Sequence, residues 1–139
     1  MMEGRSTLEQ GCALLGRVLV AAIFLRSGVG KVLNFETVAA MMAGKGMPMS
    51  QLLLMGAIAI EFVAGTALVL GYRTRWAALA LIVFLVPATL IFHNFWAADP
   101  AQLQNQTNHF FKNVAILGAL VFFMGNGPGA PSLDQRRRY

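Results

Sequence analysis

The chain has 139 residues, of which 57% are hydrophobic and only 12% charged, where soluble domains carry about 25% charged residues. A soluble fold of this length has no interior large enough for so much apolar surface, so the composition excludes an ordinary water-soluble domain and makes a lipid bilayer the solvent of a single membrane domain. The net charge of +5 does not point to nucleic acid, because the cations fall mostly in short connections, at helix ends and in the tail, with no aromatic-interleaved basic patch.

In chain order, Met1 to Gln10 is short and polar. Ser6-Thr7-Leu8-Glu9 fits a capping box, with Ser6 as N-cap and Glu9 three residues on, which starts a helix just before the membrane. A first span is predicted over residues 12–33, with Val18 to Leu25 as its apolar centre. Its length, Arg26 and Lys31 beyond that centre, and the lack of a convincing small-residue cleavage site argue against a signal peptide. Arg17 is expected to snorkel to the near surface and Lys31 to the far one. The single cysteine, Cys12, excludes an intrachain disulfide and is expected to be a buried, inert thiol. In the connection that follows, Val38, Met41 and Met42 fall at helical spacing within Glu36 to Ala43 before Gly44, Gly46 and Pro48. This reads as a short amphipathic helix lying at the membrane surface.

The second span is predicted over residues 52–70, with Glu61 its only charge. An ionised carboxylate at that depth costs roughly 2.5–3.5 kcal/mol on insertion scales, so Glu61 must be protonated, reach water or meet a cation. Gly56, Ala57, Ala59, Ala64, Gly65 and Ala67 allow close helix approach. The hairpin Gly71-Tyr72-Arg73-Thr74-Arg75 makes the second and third spans antiparallel neighbours. The third span covers residues 76–95, with Pro87 expected to kink it and His93, Phe95 and Trp96 marking an interface. A polar connection, Asn94 to Asn108, precedes a short fourth span over residues 110–124 that carries Ala115 and Ala119 as a small-xxx-small pair. Gly125 to Gly129 ends that span, and residues 125–139 form a tail closing on Arg136-Arg137-Arg138.

The expected fold is therefore all-α, a bundle of four transmembrane helices with a short interfacial helix between spans one and two. Arg5, Arg73, Arg75 and Arg136 to Arg138 gather on one side, with Arg17 close by, against Lys31, Lys45 and Lys112 on the other. This bias puts both termini in the cytoplasm.

Several stretches together resemble one known family. They are Arg17, Phe24-Leu25-Arg26-Ser27-Gly28-Val29-Gly30-Lys31, Glu61-Phe62-Val63-Ala64-Gly65, Gly71-Tyr72-Arg73-Thr74-Arg75, Phe92-His93-Asn94-Phe95-Trp96 and His109-Phe110-Phe111-Lys112-Asn113. In order and spacing they are similar to the DoxX family over nearly the whole chain. The resemblance implies a four-helix integral protein of the bacterial cytoplasmic (inner) membrane. It also implies a redox context, since the family takes its name from a subunit associated with a thiosulfate:quinone oxidoreductase and other members are described as partners of redox or oxidative-stress assemblies. It supplies no reaction. Arg26 departs from the pattern, standing where an apolar or aromatic residue is expected.

Two polar constellations follow from the residues. With helix rise as the ruler, Arg26 lies roughly 12 Å and Glu61 roughly 15 Å from the same surface, which predicts an Arg26–Glu61 ion pair across the first two helices. Its planar fork suits Arg to a carboxylate, and the bland reading is that the pair locks the bundle without doing chemistry. Lys31, His93, His109 and Lys112 map to the outer ends of their helices, and His109, Lys112 and Asn113 share a face. An outward-facing polar pocket with Glu61 at its floor would suit a quinone head group. The alternative is that the two lysines snorkel while the histidines sit in interfacial water. Met41, Met42, Met47 and Met49 offer soft donors but read as apolar packing, so no metal is assigned. The function expected first is a non-catalytic or accessory subunit of a membrane-associated complex, partnered by lipid and other membrane subunits. A quinone-binding component of an oxidoreductase comes second. A solute or proton pathway comes third, because no titratable ladder continues from Glu61 to the cytoplasmic side.

Overall fold

A computed structural model describes residues 6–136. Its helices are α1 (Thr7–Leu33), α2 (Phe35–Gly44), α3 (Ser50–Leu70), α4 (Thr74–Phe92), α5 (Leu103–Asn126) and the short α6 (Leu133–Arg136), with one 3-10 turn at Phe95–Ala97. Four helical stretches are long and apolar enough to cross a membrane: Thr7–Leu33, Ser50–Leu70, Thr74–Ala97 and Leu103–Asn126. They run antiparallel in sequence order, so Ser6, the α3–α4 hairpin and the segment after α5 share one end of the bundle, here the terminal face. The α2 connection and the α4–α5 connection share the other, the connection face.

The local signals account for the helix ends. Ser6 and Glu9 form the capping box, with Glu9 N–H to Ser6 Oγ at 3.2 Å and Ser6 N–H to Glu9 Oε2 at 2.8 Å. This starts α1 at Thr7, as the capping box predicts, five residues ahead of the span expected over 12–33. Gly71, at φ 65°, closes α3 in the left-handed conformation that glycine adopts without penalty. The fourth span is longer than the expected 110–124, because the polar stretch from Leu103 to Asn108 is already helical. Gln104 Nε2 to Asn108 Oδ1 at 3.0 Å and Thr107 Oγ1 to the Leu103 carbonyl at 2.7 Å occupy its side chains locally. In the third span α4 runs through Pro87 and ends at Phe92, and the 3-10 turn carries the helical stretch on to Ala97, past the expected residue 95.

The helices pack as α1 on α3, α3 on α4 and α4 on α5, with α2 against α3. Leu68, Leu81 and Leu120 are fully buried at the centre, joined by Ala21, Phe24 and Leu85. A second cluster, Ala39, Met42 and Leu54, seats α2 on α3, with Met47 packed against it. Lipid offers helices no hydrophobic reason to associate, so close packing must hold them. Small residues permit it: a Cβ on Gly28 would stand 3.1 Å from the Phe62 ring, and one on Gly65 3.1 Å from Leu25. Between α1 and α5 the ring of helices stays open. These helices touch sparingly, with Gly16 opposite Phe123, and an apolar cleft of about 370 Å³ lies between them.

Two expectations about α1 are corrected. Arg17 does not snorkel; it is fully buried. The chain after α5 folds back over it, and its Nη2 donates to the Pro131 carbonyl at 2.5 Å. Cys12 is exposed rather than buried, because it stands on the outward side of α1 ahead of the packed turns at Arg17 and Ala21.

Candidate functional site

The intramembrane charge of Glu61 is met by Lys31, not by Arg26. Lys31 Nζ lies 2.9 Å from Glu61 Oε1 and 2.5 Å from Ser27 Oγ. The correction follows from helix register. Phe24 and Gly28 are the buried positions of α1 that face α3; Lys31 continues that stripe, whereas Arg26 lies about 200° round the helix from either and is exposed. Depth alone, the basis of the expected pair, carries no information about face. The Glu61 side chain is 2% exposed and that of Lys31 23%. The carboxylate is therefore fixed inside while the ammonium keeps a route to the surface. Glu61 Oε2 is buried with no hydrogen-bond partner among the described residues.

The remaining expected residues climb toward the connection face along the α4–α5 seam. Lys31 Nζ sits 5.8 Å from the centre of the Phe84 ring on α4. Some 7 Å further along α4, Thr89 Oγ1 accepts from Asn113 Nδ2 at 3.0 Å and donates to the Leu85 carbonyl at 2.7 Å. About 6 Å beyond that, His93 stacks on His109 with ring centroids 4.9 Å apart. Gln106 Oε1 meets His93 Nδ1 at 2.9 Å, and Lys112 Nζ meets His109 Nδ1 at 3.0 Å. Lys112 can only donate, so a neutral His109 accepts at Nδ1 and carries its proton on Nε2. The six residues thus fall into groups rather than one ring: Lys31 with Glu61, Asn113 with Thr89, and His93 with His109 and Lys112. Lys112 also lines the cleft between α1 and α5, together with Val20, Ile23, Ala115 and Ala119.

Ser27, Thr89 and Gln106 belong to these groups and escaped the sequence reading. Ser27 had a signal, being four residues before Lys31 on the same face. Thr89 and Gln106 had none, because only the α4–α5 packing gives them partners.

The terminal face holds a further polar cluster. Asp134 accepts from the Arg73 and Thr74 backbone N–H groups at 2.6 and 2.8 Å, and its own N–H donates to the Gly71 carbonyl at 2.8 Å. A carboxylate on the first amides of α4 is favoured by the helix dipole. Arg17 packs so tightly on Gly71 that any Cβ there would overlap its guanidinium and Ser132. Of the expected tail, residues 137–139 lie outside the described residues.

Four apolar crossings with a neutralised charge pair inside define an integral membrane protein whose helices contact lipid. The DoxX family model matches residues 12–94, and the chain belongs to that family. It is 34% identical over 123 residues to the inner membrane protein YphA of Escherichia coli K12, covering 88% of each chain. It is 31% identical over 128 residues to the inner membrane protein YqjF of the same organism, covering 92% of this chain and 93% of that one. A shorter match, 33% identical over 73 residues, links half of this chain to 27% of a Drosophila melanogaster Surfeit locus protein 4 homolog. No solved structure matches the chain.

Proposed function

We propose that the protein is a non-catalytic, accessory subunit of a membrane-associated redox or energy-converting complex. It sits in the bacterial inner membrane with its terminal face in the cytoplasm. The observation that carries this reading is the unclosed side of the bundle: α1 and α5 leave an apolar cleft whose α5 wall has Ala115 and Ala119 at small-xxx-small spacing. That geometry suits a transmembrane helix of another subunit, since small residues let backbones approach closely. The charge of Glu61 is met within the bundle by Lys31, as a structural lock requires. The orientation rests on the Lys/Arg bias, and the redox context on the family likeness. The test is purification in mild detergent with mass spectrometry of every co-purifying chain and lipid, repeated with Ala115→Trp. A stoichiometric partner lost on filling the cleft is the expected result. A chain that purifies alone, or a partner indifferent to Ala115→Trp, would overturn it.

A second reading has one observation in its favour: Lys112, bonded to His109, stands at the edge of that same cleft. A quinone tail lying between α1 and α5 would bring its head group to a lysine and an imidazole, both able to donate to its carbonyl oxygens. On this reading a quinone analogue raises the melting temperature and Lys112→Met weakens the effect. No shift at saturating analogue sinks it.

A further inference from the structure

A second groove, independent of the cleft just discussed, runs between α3 and α4 from the terminal face into the membrane, with a volume of about 670 Å³. Its floor is small: Ala64, Ala67, Ala77 and Ala80. Ala64 and Ala77 are buried at 6% and 7% exposure, so the helix backbones come close there and leave a furrow. Its rim is mostly apolar and turned to lipid, with Val63 72% and Leu70 49% exposed and Thr66 between them. From Val63 to Leu70 the furrow spans about 10 Å, two-thirds of the depth of one leaflet when the hydrocarbon core is about 30 Å thick.

Charge is confined to the mouth, and away from it the one polar lining residue is Thr66. Arg73, Tyr72 and Trp76 line the mouth, all in or next to the hairpin that ends α3 and begins α4. Trp76 is 69% exposed, and an aromatic side chain at the end of a span belongs at headgroup level. The Arg73 guanidinium has no hydrogen-bond partner among the described residues. The neighbouring carboxylate of Asp134 is turned to backbone amides instead. Arg75 points to the other side, its Nη1 3.4 Å from the Met124 carbonyl on α5. Among the described residues, the Arg73 guanidinium therefore stands without a hydrogen-bond partner at the head of a largely apolar furrow that faces lipid.

We propose that this groove is a binding site for a phospholipid of net negative headgroup, its phosphate on Arg73 and one acyl chain along the alanine floor. The charge decides the occupant. A guanidinium fits a phosphate through two parallel N–H···O bonds, whereas a neighbouring apolar helix offers it nothing. A zwitterionic lipid fills the furrow equally well but leaves the excess positive charge unmatched. A cation beside an anionic lipid surface contributes about fivefold in affinity.

The test uses the two tryptophans, Trp76 and Trp96, which lie at opposite ends of the bundle. In Trp96→Phe only Trp76 reports. The purified full chain in neutral detergent is titrated with phosphatidylglycerol or phosphatidylcholine carrying a dibrominated acyl chain, and Trp76 quenching is followed. Half-quenching at about fivefold less phosphatidylglycerol than phosphatidylcholine is expected, with the preference lost in Arg73→Gln, kept in Arg73→Lys and kept in Arg75→Gln. Ala80→Phe, which fills the furrow without touching charge, is expected to reduce quenching by both lipids. Equal midpoints in the parent overturn the proposal. So does a preference that survives Arg73→Gln, and so does quenching unchanged by Ala80→Phe. A Trp76 shielded from both lipids marks a protein partner on this face and overturns it as well.

Discussion

Lys31→Met isolates the intramembrane charge pair. Methionine matches the lysine stem in bulk and removes the ammonium, and with it the bonds to Glu61 at 2.9 Å and Ser27 at 2.5 Å. Glu61 is then left 2% exposed with both oxygens unpartnered, since Oε2 already lacks a hydrogen bond among the described residues. Breaking a buried pair from one side costs about 3–5 kcal/mol. The 23% exposure of Lys31 marks a partly hydrated partner, which puts the cost near the lower end, about 3 kcal/mol. The reverse change, Glu61→Met, frees a lysine that can extend toward the connection face, and is expected to cost about 1 kcal/mol. With both replaced, apolar packing substitutes for the pair and the variant should fall within about 1 kcal/mol of the parent. The coupling energy is then about 3 kcal/mol. Unfolding in mixed micelles by increasing dodecyl sulfate, followed by circular dichroism, measures all four corners. Arg26→Met serves as the control and should lie within about 0.5 kcal/mol of the parent. Singles that add to within about 0.5 kcal/mol, or an Arg26–Glu61 coupling larger than the Lys31–Glu61 one, would refute the reasoning.

Other consequences are as direct. Gly71→Ala forces a Cβ into the Arg17 guanidinium and Ser132 at a φ of 65°. The conformation alone costs about 1–2 kcal/mol and the overlap adds to it, so dodecyl sulfate unfolding should shift by more than Asp134→Ala shifts it. Asp134→Ala withdraws the acceptor from the Arg73 and Thr74 N–H groups, like the loss of an N-cap. About 1 kcal/mol is expected, together with faster tryptic cleavage of the tail, read by mass spectrometry. At the α4–α5 seam the two partners should behave unequally. Thr89→Val strands the buried Asn113 amide and should cost about 1.5 kcal/mol. Asn113→Leu leaves Thr89 still bonded to the Leu85 carbonyl and should cost about 0.5 kcal/mol. Equal losses in the same unfolding assay would contradict this assignment.

The sequence was most informative where the physics is one-dimensional. Apolar run length against bilayer thickness gave the four spans; Ser6 with Glu9 gave the start of α1, and Gly71 the end of α3. The amphipathic segment expected over Glu36 to Ala43 is α2. It was least informative where polar residues extend a helix beyond the hydrocarbon. The glutamines and asparagines of 102–106 read as a loop and mostly lie in α5, because their side chains bond within the helix or to His93.

For the polar site the same division holds. That Glu61 needs a cation was legible from the cost of a bare carboxylate in lipid, and that statement contains no geometry. Which cation answers depends on azimuth. Arg26 and Lys31 both sit beyond the apolar centre of α1, and only the packing of Phe24 and Gly28 against α3 turns Lys31 inward and Arg26 outward. The same holds for Arg17. A cation near a helix end is expected to reach water, yet the chain after α5, more than a hundred residues later, returns to cover it with Pro131 and Ser132. The sequence by itself determined the solvent, the spans and the need for neutralisation, because these depend on composition and length along the chain. Only the tertiary structure decided the partners, because a helix repeats its direction every 3.6 residues or so and the face it buries is set by the helices it packs against.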